Sequence, residues 1–258
     1  MTGLAARHRG LIALSARETD RVLKLWSQTI VAPVLASFLF IVVFGLSLGG
    51  RIRDIGGVPY DVFIVPGLIA MAMAQAAYSN NSSSVFQARS DRYIHDVLSA
   101  PMRPWEVNLG LAFGGVVRAL AIGVSLFVLA LVVTDVPVRH PVVLVLSIAI
   151  LLVLFASLGV VVGVYAETWD QAGFVNNIVI LPLSFLGGVF YSVDLLPAPW
   201  HEVSHVNPLF YLIDTIRYGF LGTSDVPVGI ALGVTAILAL GCVVWSAAMF
   251  SSGHRLKA

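Results

Sequence analysis

The sequence predicts an all-α, polytopic membrane protein, and three observations lead to this fold class. Hydrophobic residues make up 58% of the 258 residues and charged residues only 11%, whereas soluble chains carry about 25% charged residues. The mean hydropathy is +0.92. Apolar stretches as long as a bilayer-spanning helix, which needs about 20 residues, recur along the whole chain. The net charge of +1 gives no indication of a nucleic-acid partner.

Six stretches are long enough and apolar enough to be transmembrane helices. They are Trp26–Leu48, Val62–Ser79, Val107–Thr134, Pro141–Ala166, Gln171–Val193 and Pro227–Gly253. The first stretch is too long for a cleaved signal peptide, so we expect it to remain as a span. The two halves of the chain show no repeat, and residues 1–258 are predicted to form a single membrane domain. A G-x-x-x-G motif at Gly159 and Gly163 is typical of close helix packing, within a bundle or between copies.

Both chain termini are predicted to be cytoplasmic, because positive charges concentrate in the cytoplasmic connections of membrane proteins. Of the fifteen lysines and arginines, ten fall on one side of the six-span arrangement and four on the other, while Arg118 lies within the third span. The ten are Arg7, Arg9, Arg17, Arg21, Lys24, Arg89, Arg92, Arg103, Arg255 and Lys257, and the four are Arg51, Arg53, Arg139 and Arg217. The even number of spans agrees with both termini lying on the same side.

Residues 1–25 precede the first span and combine basic with apolar side chains. Glu18 interrupts the apolar face of the helix that this segment would form, which carries Leu11, Leu14, Val22 and Leu25. The pattern is typical of an amphipathic helix that lies along the membrane surface, and we predict such an interface helix. The alternative is a basic tail that only sets the topology.

Residues 84–104, between the second and third spans, form a second amphipathic segment. Apolar side chains recur at helical spacing, at Phe86, Tyr93, Ile94, Val97 and Leu98. Charged side chains fill other positions, at Arg89, Asp91, Arg92, His95 and Asp96, and the segment closes with Pro101 and Pro104. Such a helix can rest its apolar face on the bundle and present its charged face to a cytosolic protein. The alternative is an ordinary solvated loop helix.

Residues 194–226, before the last span, are too many for a hairpin loop and too polar to cross the bilayer. Prolines divide the segment into pieces too short to span, at Pro197, Pro199 and Pro208. Aromatic side chains, which suit headgroup depth, are frequent, at Trp200, Phe210, Tyr211, Tyr218 and Phe220. We predict two extracytoplasmic re-entrant half-helices, with an ordinary interfacial loop as the alternative.

The same segment contains His201-Glu202-Val203-Ser204-His205, which matches the H-E-x-x-H signature of zinc metalloproteases. In such a site both histidines would bind zinc and Glu202 would act as the general base. The flanking prolines leave barely two turns of helix, and only Asp214 and Asp225 follow as further ligands before the last span. We therefore expect no metal site, and an intramembrane zinc metalloprotease is kept as the alternative function.

Arg118 lies about 12 residues into the third span, near the predicted bilayer centre. A charged side chain at that depth costs at least about 2.5 kcal/mol, so it needs a partner or a wet cavity. In one interpretation the arginine lines a path for an anionic group, and the other residues of this tentative path are Gln75, Asn176, Asn177 and Tyr191. The alternative is a structural arginine bonded to backbone and amide oxygens.

The residues for several other chemistries are missing from the chain. Lys24 and Lys257 are the only lysines, and neither lies in a G-x-x-x-x-G-K-[ST] loop, so ATP is not bound by that device. The single cysteine, Cys242, excludes a disulfide framework. The span centres carry no carboxylates, which proton- or sodium-coupled carriers usually have. A separate ATPase is therefore the expected energy source for any active transport.

One ordered series of motifs runs through the second half of the chain. It consists of Gly187-Gly188-Val189-Phe190-Tyr191-Ser192, Leu196-Pro197, Trp200, Asn207-Pro208-Leu209-Phe210-Tyr211, Asp214 and Arg217-Tyr218-Gly219. Two earlier motifs are Phe63-Ile64-Val65-Pro66-Gly67 and Leu98-Ser99-Ala100-Pro101. Over almost its whole length the chain resembles the ABC-2 type membrane permeases, the transmembrane subunits of one branch of ATP-binding cassette (ABC) exporters. It is most similar to the small bacterial inner-membrane permeases related to nodulation-factor exporters.

The resemblance implies a homodimeric exporter permease in membrane lipid, with two copies of a separate cytosolic ATPase that would hold ATP and magnesium. This chain would carry no cofactor and no catalytic residue, and its cargo would be amphipathic, lipid-linked, glycan or drug-like. The N-terminal helix and Phe86–Ala100 would contact the ATPase, with coupling residues Phe86, Arg89, Asp91, Arg92, Ile94, His95 and Asp96. The re-entrant segment would cap the path, with marked residues Pro197, Trp200, Asn207, Pro208, Asp214 and Arg217.

Overall fold

The computed structural model describes residues 8–49 and 54–253, most of which are helical. The helices are α1 (Arg9–Lys24), α2 (Ala32–Gly49), α3 (Tyr60–Ser90), α4 (Ile94–Ser99), α5 (Pro104–Val133), α6 (Pro141–Tyr165), α7 (Trp169–Phe174), α8 (Leu181–Leu186), α9 (Trp200–Val206), α10 (Pro208–Leu221) and α11 (Val228–Ser252). π-helical turns Ser27–Val31 and Val175–Ile180 lead into α2 and α8, and a 3₁₀ turn covers Val193–Leu195. A short antiparallel hairpin pairs β1 (Asp54–Ile55) with β2 (Val58–Pro59).

Five helices in the described ranges are long and apolar enough to cross a membrane, and each overlaps a predicted span. They are Ser27–Gly45, Tyr60–Ser90, Pro104–Val133, Pro141–Tyr165 and Val228–Ser252. The all-α, polytopic fold class is therefore confirmed. The cytoplasmic location of the termini stays a prediction, and part of its charge count lies outside the described residues, namely Arg7, Arg51, Arg53, Arg255 and Lys257. Residues 1–7 of the predicted interface helix also lie outside them.

The predicted span Gln171–Val193 corresponds to a shorter helix of mixed geometry. α7, the π-helical turn Val175–Ile180 and α8 follow one another without a gap. The helix ends at Leu186, because Gly187 follows as its C-cap and Gly188 has a φ of +83°, a conformation that favours glycine. The buried guanidinium of Arg217 donates a hydrogen bond to the Gly188 carbonyl and supports this turn. The count of six spans therefore stays a prediction.

Three helices start at prolines, because the missing N–H of proline is not needed in the first turn of a helix. These helices are α5, α6 and α10, which start at Pro104, Pro141 and Pro208. The Glu106 side chain accepts a hydrogen bond from the Arg103 backbone N–H at 2.8 Å and closes the first turn of α5. The beginnings of these helices are thus encoded locally.

α3 is the central helix of the bundle. In its most apolar window 89% of the residues are buried, against 17% in the first span and in α11. Its neighbours approach through glycines, since a Cβ at Gly159 of α6 would lie 2.5 Å from the Tyr78 carbonyl oxygen. A Cβ at Gly163 would likewise lie 2.7 Å from the Ser82 carbonyl oxygen. The G-x-x-x-G motif therefore packs α6 on α3 within one chain.

The bundle has two ends, which we name inner and outer. At the inner end, α1, α4 and the last turns of α11 belong to one apolar cluster that includes Leu14, Val97 and Phe250. At the outer end, Gly219 of α10 packs against Leu144 near the start of α6. Consequently α1 and the C-terminal part of α11 lie at the same end of the bundle.

The segment 84–104 contains the end of one helix and a second, short helix, joined by a turn, whereas the periodicity predicted a single amphipathic helix within this segment. α3 continues as far as Ser90, and α4 covers only Ile94–Ser99. Between them Arg92 has a φ of +61°, which few residues other than glycine adopt. Sequence periodicity did not reveal the break, because apolar residues recur at helical spacing on both sides of it.

Candidate functional site

Four charged residues form an exposed patch at the inner end. They lie on the turn after α3 and on α4, and we name them the inner charged patch, consisting of Asp91, Arg92, His95 and Asp96. Ile94, another predicted coupling residue, is only 2% exposed and packs α4 against the bundle together with Val97. The amphipathic separation expected from the sequence is therefore present on the short helix α4.

Phe86 and Arg89, two further predicted coupling residues, contact other helices. Arg89 Nη1 donates to the carbonyl oxygens of Gly163 at 3.2 Å and Ala166 at 2.9 Å, which satisfies acceptors at the C-terminal end of α6. The Phe86 ring packs edge-on against Trp169 of α7, with ring centroids 4.7 Å apart. Both side chains therefore link the end of α3, which leads into the inner charged patch, to α6 and α7.

α1 is attached to α3 through Glu18, the residue that interrupts its apolar face in the sequence. Glu18 is fully buried. Its carboxylate accepts a hydrogen bond from Ser84 Oγ at 2.7 Å and pairs with Arg21 at 3.1 Å and Arg17 at 3.3 Å. The Arg17 guanidinium also lies 4.4 Å from the centroid of the Tyr93 ring, and burial raises the pKa of that phenol. One charged cluster thus joins α1, α3 and the turn before α4.

A cavity of about 320 Å³ lies among α2, α3, α5 and the helix formed by α7 and α8. We name it the central cavity. Gln75 of α3, Arg118 of α5 and Asn176 of the π-helical turn line it, and so do apolar side chains of α2 and α8 such as Phe40 and Phe185. Three of the five residues of the tentative path therefore meet in one place.

The other two residues of the tentative path lie outside this cavity. Asn177 is exposed, and its Oδ1 accepts a hydrogen bond from Asn176 Nδ2 at 3.1 Å. Tyr191 lies beyond the end of α8 and is half-buried. Neither side chain contributes to the lining of the central cavity.

Arg118 is held by a backbone carbonyl, as in the structural alternative, and by a hydroxyl in place of a side-chain amide oxygen. Its Nε donates to the Thr29 carbonyl at 2.8 Å, and its Nη1 lies 3.5 Å from Ser79 Oγ. The Thr29 carbonyl belongs to the π-helical turn before α2. No ion pair found among residues 8–49 and 54–253 includes Arg118.

Asn81 is a structural residue that the sequence reasoning missed. It is fully buried, and its Nδ2 donates to the carbonyl oxygens of Ala112 at 3.3 Å and Ala156 at 3.2 Å. Its Oδ1 accepts from the Gly115 backbone N–H at 3.1 Å. One side chain thus connects α3, α5 and α6. The sequence feature that could have indicated this role is the run of six small polar residues at 79–84, which follows the apolar part of the same helix.

The outer segment 194–226 contains the two short helices α9 and α10, which meet at Asn207. Asn207 Oδ1 caps α10 by accepting from the Leu209 N–H at 3.0 Å, and its Nδ2 donates to the Leu183 carbonyl at 2.6 Å. Pro208 follows as the first residue of α10, while Trp200 at the start of α9 is 55% exposed. Asn207 thereby ties the junction of the two helices to α8. Re-entry of these helices into the membrane stays a prediction.

The charged residues of α10 are buried at the outer end. Asp214 is fully buried and accepts hydrogen bonds from Ser224 Oγ at 2.7 Å and from the Asp225 backbone N–H at 2.9 Å. Arg217 is 2% exposed, and its guanidinium lies 4.2 Å from the centroid of the Phe63 ring in α3. Asp214 therefore ties α10 to the loop that follows it, whereas Arg217 ties α10 to α3 and to the turn after α8. Pro197 lies at the surface.

The two histidines of the H-E-x-x-H match lie on α9, which has seven residues. His205 Nδ1 contacts the backbone carbonyl of His201 at 2.8 Å, and His201 Nε2 lies 3.8 Å from Asp194. A catalytic zinc ion needs three protein ligands. Within the part of the chain that the structure describes, no group of three or more histidine, cysteine or acidic side chains is placed to hold a metal ion. The geometry gives no support to the protease alternative.

A family model described as "ABC-2 type transporter" matches residues 9–221. The chain belongs to this family. The matched range includes α1, the inner charged patch, the central cavity and both short helices of the outer segment. The family resemblance read from the motifs is therefore confirmed.

Individual relatives agree with the family match along most of the chain. "Inner membrane transport permease YadH" of Escherichia coli (strain K12) is 39% identical over 247 residues, which cover 95% of this chain and 96% of that protein. "Nodulation protein J" of Rhizobium leguminosarum bv. trifolii is 30% identical over 222 residues, 82% of this chain and 83% of that protein. The protein of the same name from Rhizobium meliloti (strain 1021) is 26% identical over 225 residues, 83% and 84% of the two chains.

These relationships define the general role of the chain. It is a multi-pass protein of the bacterial inner membrane and a transport permease subunit. It is a transporter membrane subunit without an ATPase site of its own, and membership of the ABC-2 family implies an ATP-binding partner subunit.

Proposed function

We propose that this chain is the permease subunit of an ABC exporter and that its ATPase partner docks on the inner charged patch. One observation carries the proposal: the patch is mounted on the end of α3, the helix that also lines the central cavity with Gln75. Gln75 and Ser90 are fifteen residues apart on one continuous helix, which corresponds to roughly 22 Å. A displacement at the patch would therefore reach the cavity through a single rigid element.

ATP and magnesium would be bound by two copies of the partner, at the cytoplasmic side. The charged cluster around Glu18 joins α1 to α3, so a docked ATPase would move α1, α3 and α4 together. ATP bound to the partner would shift the permease between inward-open and outward-open states. The shift requires that ATP binds the complex more tightly in one of these two states than in the other. Both termini of the permease would be cytoplasmic in this arrangement, since α1 and the end of α11 lie at the inner end.

A second copy of the chain would complete the path. In the most apolar window of the first span only 17% of the residues are buried, and its exposed side chains Leu35, Leu39 and Val43 form an apolar face. Ile178 of the second π-helical turn and Phe185 of α8 are exposed as well. This face would pack on its counterpart in a homodimer, with membrane lipid around the remaining surface. The cargo would be amphipathic, lipid-linked, glycan or drug-like, and the outer segment 194–226 would cap the path as re-entrant helices.

Co-purification tests the docking surface. The detergent-solubilised chain is captured from its native membrane, its partners are identified, and ATP hydrolysis is measured. We expect an ATP-binding subunit in equal amount, and an at least tenfold lower recovery for the double charge reversal Arg92→Glu with Asp96→Arg. The matched control is Arg139→Glu with Asp194→Arg, which reverses two exposed charges at the outer end.

The outcomes separate the proposal from its competitors. Equal recovery of the ATPase by wild type and by the inner double variant, with both chains folded, would remove the inner charged patch from the interface. Recovery of the chain alone with about one zinc ion per molecule would overturn the permease mechanism. Loss of recovery in the outer control as well would show that charge reversal harms the protein in general.

A further inference from the structure

The central cavity offers more hydrogen-bonding capacity than the protein uses. Gln75 Nε2 is a buried donor without a partner, and Asn176 Oδ1 is a buried acceptor without one, within the described parts of the chain. Both residues line the same cavity. Buried polar atoms are normally paired with protein or with water, so two unmatched atoms of opposite kind at one cavity indicate a polar occupant.

Arg118 supplies an uncompensated positive charge to the same cavity. It lies near the middle of α5, at a depth where a charged side chain requires a partner or a wet cavity. Its Nε is satisfied by the Thr29 carbonyl and its Nη1 contacts Ser79 Oγ at 3.5 Å, the limit of a hydrogen bond. Nη2 makes no hydrogen bond with any described residue, and no carboxylate pairs with the guanidinium there.

Two π-helical turns of the backbone lie at the central cavity. Thr29, whose carbonyl positions Arg118, lies in the π-helical turn Ser27–Val31, and Asn176 lies in the second π-helical turn, Val175–Ile180. Insertions of this kind in α-helices occur frequently at functional sites. Both π-helical turns in the described residues therefore contribute to the same cavity. The first turn orients the Arg118 guanidinium, and the second turn lines the cavity with Asn176.

We propose that the central cavity binds the anionic headgroup of a lipid-like molecule. Arg118 would face the negative charge, Gln75 Nε2 would donate to a further oxygen, and Asn176 Oδ1 would accept from a neighbouring hydroxyl or amine. A phosphate diester attached to glycerol or to a sugar has a negative charge, further acceptor oxygens and neighbouring hydroxyl donors. The volume of about 320 Å³ suits a headgroup, and the apolar tail would leave the cavity past Phe40 of α2 and Leu181 of α8, which line it.

The headgroup could come from exported cargo or from a resident membrane lipid, and the chemistry of the site is the same for both. Only the cargo assignment rests on the proposed exporter function. Binding of the headgroup by the isolated chain does not require an ATPase. The headgroup-binding proposal and the exporter proposal are therefore tested by different experiments.

The binding test uses the full chain in a neutral detergent, titrated with dioleoylphosphatidylglycerol, with dioleoylphosphatidylcholine as the comparison probe. Phosphatidylglycerol offers net negative charge and hydroxyl donors, whereas phosphatidylcholine offers neither. We expect tighter binding of phosphatidylglycerol, and about a tenfold to hundredfold loss of its affinity in Arg118→Gln, the range for one charge-assisted hydrogen bond. The matched control, Arg9→Gln, removes an exposed arginine of α1 and leaves the affinity unchanged.

Gln75→Met provides a test that does not disturb the bond between Arg118 and Thr29. It keeps the side-chain length and removes the donor, and we expect a severalfold loss of phosphatidylglycerol affinity at an unchanged thermal unfolding midpoint. If Arg118→Gln does not fold, Gln75→Met and Asn176→Leu decide the question. Equal binding of the two lipids by wild type, or wild-type affinity in the folded Arg118 and Gln75 variants, overturns the proposal.

The source of the headgroup is decided in the complex with the ATPase partner. Labelled phosphatidylglycerol that is released or moved across the bilayer on addition of ATP would be a cargo analogue. Label that stays bound through ATP turnover would identify a resident lipid, which overturns the cargo assignment and supports the binding site itself.

Discussion

Replacing Glu18 by glutamine tests whether the charge buried beneath α1 holds the inner end together. The carboxylate is fully buried and has three partners, Ser84 of α3 and the two arginines Arg17 and Arg21 of its own helix. Glutamine has nearly the same shape but no charge. We expect the variant to fold with a weakened attachment of α1 to α3.

The size of the effect follows from the three contacts. The hydrogen bond from Ser84 Oγ at 2.7 Å joins a buried charged acceptor, and such bonds contribute about 1.5–3 kcal/mol. The side chains of Arg21 and Arg17 are 28% and 45% exposed, so solvent screening limits each pair to about 0–1 kcal/mol. Because glutamine retains one hydrogen bond, we expect a loss of about 2–3 kcal/mol, or roughly 5–10 °C in the unfolding midpoint Tm.

Thermal unfolding of the purified chain in detergent measures this loss, and Asp20→Asn is the matched control. Asp20 is an exposed carboxylate on the same helix, and its neutralisation should change the Tm by less than about 2 °C. A double-mutant cycle with Ser84→Ala should give a coupling energy of about 1 kcal/mol or more. Equal Tm values for the Glu18 and Asp20 variants, or no coupling with Ser84, would refute the reasoning.

Two further substitutions address the packing of the bundle and the outer segment. Gly159→Val places its Cβ 2.5 Å from the Tyr78 carbonyl oxygen, and we expect a loss of about 1–3 kcal/mol by overpacking. Gly241→Val, with open space around its Cβ, should leave the unfolding free energy unchanged, and equal losses would contradict the close approach of α6 to α3. Asn207→Ala removes both the cap of α10 and the bond to the Leu183 carbonyl at 2.6 Å, and should lower stability by about 1–2 kcal/mol. Asn207→Asp should recover the cap and about half of that loss, and full stability of the alanine variant would exclude the cap as a determinant.

The family and the spanning helices could be predicted because they depend on local features of the chain. The ends of the predicted spans agree closely with α5, α6 and α11, where prolines and connecting polar residues mark the boundaries. The end of α3 was predicted too early, because Ser79 begins a polar run that looks like a loop in the sequence. In the structure these polar side chains are paired within the bundle, as at Asn81 and Ser84, and the helix continues.

The residues of the candidate sites could be identified in the sequence by their chemical type, but their arrangement in space could not be predicted from it. The charged residues of α4 were identified from their spacing, but the turn at Arg92 was not, since its positive φ has no marker such as glycine. Gln75, Arg118 and Asn176 were expected to line one path, and the structure brings them to one cavity. Glu18 was interpreted as a defect of the apolar face, because its partner Ser84 lies 66 residues away.

The sequence by itself determined that the chain is an α-helical membrane protein, where most of its spans lie, and to which family it belongs. These features follow from the thickness of the bilayer, which sets the length of an apolar helix, and from motifs that are contiguous in the chain. Only the tertiary structure decided which side of each helix meets protein, that Glu18 joins α1 to α3, and that Arg118 shares a cavity with Gln75 and Asn176. The physical reason is that lipid-facing and protein-facing surfaces are both apolar, so hydropathy does not encode helix rotation, and polar side chains find partners far away in sequence.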